Sequence, residues 1–80
     1  MIEDGITDGD LVIVQPTPVA RNGEVVVALI DGDETTLKRF YREGTNVRLQ
    51  PANSSMPPII MPRQRVEIQG KAVAVVRRLG

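Results

Sequence analysis

Two runs of β-branched and aliphatic residues constrain this chain more than any other feature. They are Leu11-Val12-Ile13-Val14 and Glu24-Val25-Val26-Val27-Ala28-Leu29-Ile30. Apolar residues occupy both faces of each run, the pattern of strands covered on both sides. Asn22-Gly23, just ahead of the second run, predicts a tight turn with positive φ angles. Asp31-Gly32-Asp33 separates that run from Glu34–Arg42, which reads as a hairpin return. Glu43-Gly44-Thr45 then turns the chain into the alternating segment Asn46-Val47-Arg48-Leu49. Between Gln50 and Pro62 the prolines and small polar residues predict a long surface connection, with a short edge segment at Ile59-Ile60. Val66-Glu67-Ile68 and Lys71–Val76 are expected as two closing strands near Gly70. There is no amphipathic helix pattern and no internal repeat. The expected class is all-β, with curved antiparallel sheets that partly close on each other. Eighty residues make one small domain, 1–80, with a thin core.

Composition removes several kinds of chemistry. With no cysteine there is no disulfide and no thiolate for zinc, and with no histidine the usual proton shuttle and commonest metal ligand are missing. Phe40 and Tyr41 are the only aromatic residues, too few for a base-stacking platform. Ten basic residues balance ten acidic ones, so the chain has no electrostatic basis for gripping a phosphate backbone. No apolar run reaches membrane-spanning length and no signal peptide pattern is present. The expectation is a cytoplasmic domain with no cofactor, no metal and no membrane contact.

Few residues remain as candidates for chemistry. Asp31-Gly32-Asp33-Glu34 lacks the spacing of a calcium loop and reads as an acidic turn, as does Asp8-Gly9-Asp10. Arg63, Arg65, Arg77 and Arg78 read as strand-flanking charges that keep edges soluble. Lys38 is different. Strand alternation puts it on one face with Thr36 and Phe40, and Thr35, Leu37, Arg39 and Tyr41 on the other. Two readings are open for it. Its stem covers Phe40 while the ammonium stays in water, or apolar surroundings disfavour the charged form. An amine held neutral can take a proton from a serine hydroxyl without any histidine. The two serines present, Ser54 and Ser55, sit in the proline-rich connection and are poor nucleophile candidates.

Taken together, Asp8-Gly9-Asp10-Leu11, Arg21-Asn22-Gly23, Val25-Val26-Val27-Ala28 and Thr36-Leu37-Lys38-Arg39 resemble the C-terminal domain of LexA repressors. Asn46-Val47-Arg48-Leu49, Pro51-Ala52-Asn53-Ser54, Pro58-Ile59 and Gly70-Lys71-Ala72-Val73 continue the resemblance in register over nearly the whole chain. UmuD-like proteins and phage repressors are weaker matches. The resemblance implies a Ser/Lys self-cleaving domain of the SOS response, with a LexA- and signal-peptidase-like fold. Lys38 falls on the general base. RecA filaments on single-stranded DNA would stimulate cleavage of an Ala-Gly bond, and a homodimer would form through the C-terminal strand. Operator DNA would be bound only through a separate N-terminal domain.

The resemblance also implies what to expect around Met1. In the family the nucleophilic serine immediately precedes the methionine that aligns with Met1, and the Ala-Gly bond lies further upstream. Met1-Ile2-Glu3-Asp4-Gly5 reads as a turn already in progress. A truncated piece or a mis-assigned start codon is therefore expected, inactive without the serine. Two rivals stand beside this reading: a non-catalytic small β-barrel used for dimerisation or binding, and a signal-peptidase-like membrane protease with an upstream anchor.

Overall fold

The computed structural model describes residues 10–51 and 56–76. Strands β1 (Leu11–Pro16), β2 (Val25–Ile30), β3 (Glu34–Glu43), β4 (Asn46–Gln50), β5 (Ile59–Pro62) and β6 (Val66–Val76) form one antiparallel sheet. Their order is β1-β6-β2-β3-β4-β5, and a single 3-10 turn at Arg63–Arg65 leads into β6. From β2 to β5 the chain meanders, each strand beside its predecessor. β6 then inserts between β1 and β2.

Turn chemistry sets the registers. Asp31 (φ 55°) and Gly32 (φ 69°) both lie in the left-handed region, the requirement of the tight hairpin turn whose twist matches its strands. The Asp33 amide donates to the Ile30 carbonyl at 3.0 Å and closes that turn. The pairing that follows runs from Ile30 opposite Glu34 to Val25 opposite Arg39. Arg65 braces the turn from the entry to the neighbouring strand β6. Its guanidinium donates to both Asp31 carboxylate oxygens, at 2.8 and 2.7 Å, and its carbonyl accepts the Asp31 amide at 2.8 Å. At the opposite end of the same hairpin, the Asn22 side-chain oxygen accepts the Arg42 amide at 2.7 Å.

Directly opposed residues of an antiparallel pair share a face, so the registers define the core. Val26, Ala28 and Ile30 of β2, Phe40 of β3, Val47 and Leu49 of β4 and Met61 of β5 are buried on one face. Val66 and Ile68 of β6, opposite Ile30 and Ala28, pack against them, as does Ala20 from the β1–β2 connection. Leu49 and Val26 are fully buried. Each such side chain contributes about 1.5–3 kcal/mol by leaving water.

The class and most strands agree with the sequence reading, and three details are corrected. First, the described strands make one open sheet rather than several sheets closing on each other. Second, the two expected closing strands are a single eleven-residue strand, β6, with Gly70 inside it. The register shifts on both sides of Gly70. Val73 is extra against β1, between the pairs Ile13–Ala74 and Val14–Ala72, and Gln69 is extra against β2, between Val27–Gly70 and Ala28–Ile68. Such bulges bend a strand and sharpen its twist, which breaks the sequence alternation without ending the strand. Glycine is required at the bend because β1 lies close. A Cβ on Gly70 would stand 2.5 Å from Val14 Cγ1 and 2.9 Å from the Gln15 carbonyl oxygen. Third, β1 is not covered on both faces, and neither is the end of β6. Leu11, Ile13, Val14, Val73, Val75 and Val76 are all exposed, because no described element packs on either side of that end of the sheet. β2 does match: its alternate residues Val25, Val27 and Leu29 are half-buried.

Two outcomes are expected. Gly70→Ala should destabilise the fold by about 1–3 kcal/mol, the usual range for overpacking, measurable by urea unfolding. Asp31 is held below the ordinary carboxylate range by its hydrogen bonds from Arg65. Its contribution is therefore fully present above the unfolded value of about 3.9 and is lost as pH falls through the lower folded value. Asp31→Asn, which tolerates the same backbone conformation, should lower the thermal midpoint at neutral pH. The difference from the unsubstituted chain should close as the pH falls through the lowered folded value of Asp31.

Candidate functional site

Lys38 sits in the middle of β3, directly opposite Val26 of β2. Because Val26 is fully buried on the core face, the lysine projects from that same face, together with Thr36 and Phe40, the grouping that the alternation predicts. Lys38 is half-buried. Its Nζ donates to the Thr36 hydroxyl at 2.5 Å, a contact between residues two apart on one strand. Thr36 itself stands opposite Ala28, whose side chain is fully buried. The amine is therefore anchored over the apolar row Val26–Ala28 by a neutral hydroxyl.

Val26 has a second cation on its other side. The β6 register places Lys71 opposite it, so Lys38, Val26 and Lys71 form a row across three strands. The Lys71 ammonium is paired with the Glu24 carboxylate at 3.4 Å. Glu24 also accepts the Arg21 amide at 2.8 Å. That backbone hydrogen bond is the largest influence holding its carboxyl below the ordinary range, with the Lys71 charge adding to it. The two lysines of this row thus have different partners, a carboxylate for Lys71 and a hydroxyl for Lys38.

Further along the same face, a cavity of about 580 Å³ opens beside β3. Phe40, Val47, Val66 and Ile68 are among its apolar lining residues, and Arg42 and Arg63 stand among its polar ones. Lys38 does not line it. The cavity begins two residues along the strand, at Phe40, so a peptide laid along this face would pass from one to the other.

The remaining sequence candidates separate cleanly. Asp31 is engaged by Arg65 as a structural clamp, and Arg63 borders the cavity. Among the described residues no cluster of acidic side chains is arranged to hold a metal ion. Ser54, Ser55, Arg77, Arg78 and the Asp8-Gly9 part of the first acidic turn lie outside the described residues. Sequence reasoning did not single out Thr36 as the partner of Lys38 or Glu24 as the partner of Lys71. Same-face spacing of two residues was available as a signal for the first. The second is a pairing across 47 positions that only the β6 register creates.

Residues 1–73 match the Peptidase S24-like family. The chain belongs to that family. LexA repressors are among its curated relatives. That of Koribacter versatilis (strain Ellin345) is 50% identical over 78 residues, covering 98% of this chain and 37% of the relative. That of Gluconacetobacter diazotrophicus is 54% identical over 78 residues, covering 98% and 31%. That of Bacillus subtilis (strain 168) is 53% identical over 77 residues, covering 96% and 37%. The chain thus spans about a third of the length of these relatives. The likeness to the LexA C-terminal domain read from the residues is supported over almost the full length.

Proposed function

We propose that this chain is the regulatory domain of a LexA-type repressor, supplying the general base for self-cleavage and the contacts for pairing. The observation that carries the reading is Lys38, half-buried over Val26 on the core face, its Nζ held by the Thr36 hydroxyl rather than by a carboxylate. The nucleophile would come from a serine ahead of Met1 in a longer chain. In that chain the uncharged Lys38 amine removes the proton from the serine hydroxyl as the oxygen attacks the alanine carbonyl of an Ala-Gly bond. The resulting ammonium then delivers that proton to the departing glycine amine. Water, deprotonated by the same amine, afterwards releases the acyl group. Backbone amides near the serine would stabilise the oxyanion. The cavity beside Phe40 gives the flanking part of the cleaved segment a place along the same face.

On this reading the severed repressor leaves its operators, RecA filaments on single-stranded DNA provide the stimulus, and DNA is bound through a separate N-terminal domain. Pairing of two copies is assigned to the β1–β6 end of the sheet, where six apolar side chains are exposed. A twofold pair suits a palindromic operator. The rival reading, a non-catalytic β module for dimerisation or binding, gives Lys38 no chemical role.

A chain extended upstream to the length of its relatives separates the two. Lys38→Ala should reduce its self-cleavage by at least about 10²–10⁴-fold, the usual contribution of a general base, while the thermal midpoint stays close to that of the unsubstituted protein. Only an uncharged amine accepts a proton, so the rate should climb from neutral to mildly alkaline pH. Efficient cleavage by the alanine variant, or a rate that is level across that pH range, would remove Lys38 from the mechanism.

A further inference from the structure

One carboxylate stands close to the amine assigned to proton transfer, and it is turned away from it. Glu24 lies two residues before Val26, at the entry to β2, and alternation puts it on the core face with Val26. Its carbonyl accepts the Phe40 amide at 2.8 Å, which fixes it beside β3. Lys38, two residues before Phe40 on that strand, is therefore its diagonal neighbour, at a separation of about 7–8 Å that long side chains span. Lys71 holds the corresponding place on the other side, opposite Val26 on β6 as Lys38 is on β3. Glu24 thus has two lysines within reach on one face, and its carboxylate goes to one of them.

Both Glu24 oxygens are engaged away from Lys38. Oε1 accepts the Arg21 amide at 2.8 Å, and Oε2 is paired with Lys71 Nζ at 3.4 Å. The Lys71 and Glu24 side chains are only 33% and 31% exposed, so the pair is screened less than one in open water. The other charged groups on this face of β3 are more distant. Glu34 and Arg42 lie four residues from Lys38 in either direction, about 13–14 Å along the strand. Gln50 and Pro51, the described residues nearest on the β4 side, carry no charge.

We infer that Lys71 is a positioning residue for self-cleavage: it captures the Glu24 carboxylate and so leaves Lys38 with the neutral Thr36 hydroxyl as its partner. This rests on the proposed role of Lys38 and adds the residue that protects it. A carboxylate beside an amine favours the ammonium, and an ammonium cannot accept the serine proton. A Glu24 side chain released from Lys71 has Lys38 as the remaining lysine of the row.

The chain extended upstream to the length of its relatives provides the test. Lys71→Met keeps the aliphatic stem and removes the charge. It should slow self-cleavage at neutral pH about tenfold, the effect of one opposite charge brought beside a titrating group. It should also displace the rise of rate with pH to more alkaline values. Adding Glu24→Gln to the same chain should return rate and profile to near those of the unsubstituted protein, since no carboxylate then remains to reach Lys38. Lys71→Gln makes the same test with a polar side chain should the methionine variant fail to fold. A profile that both Lys71 variants leave in place, or a displaced profile that Glu24→Gln does not restore, overturns the role of Lys71 while Lys38 keeps its own. A rate that is level with pH in the unsubstituted chain overturns both.

Discussion

The position of Lys38 depends on the register of one hairpin. Strand side chains alternate with a period of two, so a slip of one residue between β2 and β3 would carry Lys38, Thr36 and Phe40 to the opposite face. The tight turn at Asp31-Gly32, with both residues in the left-handed region, allows only the register observed. Arg65 then holds that turn through the carboxylate and the backbone of Asp31, drawing on a residue 34 positions away. Surface ion pairs are weak individually. The importance of this one lies in where it acts, at the single point that decides which side of the sheet the amine occupies.

Much of this was legible in the residues. The turns at Asn22-Gly23, Asp31-Gly32-Asp33 and Glu43-Gly44 punctuated the strands correctly, although of Asn22 and Gly23 only Gly23 has a positive φ, and alternation along Glu34–Tyr41 placed Lys38 with Thr36 and Phe40. Local rules sufficed there because turns and side-chain alternation are properties of short segments. They did not suffice at β6. Val66–Val76 looked like two strands because a bulge on each side of Gly70 breaks the alternation, and the cause is β1, more than fifty residues earlier. The exposure of β1 was likewise hidden. An apolar run on both faces signals a strand to be covered, and only the sheet order reveals that Leu11–Pro16 lies at an edge. The Glu24–Lys71 pair is a third case, invisible until β6 is set beside β2.

The row Lys38–Val26–Lys71 shows how two identical side chains on one face acquire different surroundings. Lys71 has a carboxylate beside it, itself steadied by the Arg21 amide. Lys38 has a hydroxyl and the apolar surface of Val26 and Ala28. The contrast comes from strand position. Glu24 is at the entry to β2, within reach of β6, whereas β3 presents Thr36 two residues from Lys38.

The sheet order also governs the sequence of assembly. β1 and β2 are consecutive in the chain yet never touch along their length, because β6 lies between them. The β2–β5 meander has neighbours close at hand and can organise early, as local contacts do. The slot beside β2 must stay open until residues 66–76 arrive, leaving unpaired backbone and apolar side chains facing water. On a ribosome, β1 would therefore wait without a partner while most of the domain is already made, the stage at which a nascent chain is most exposed to wrong pairing.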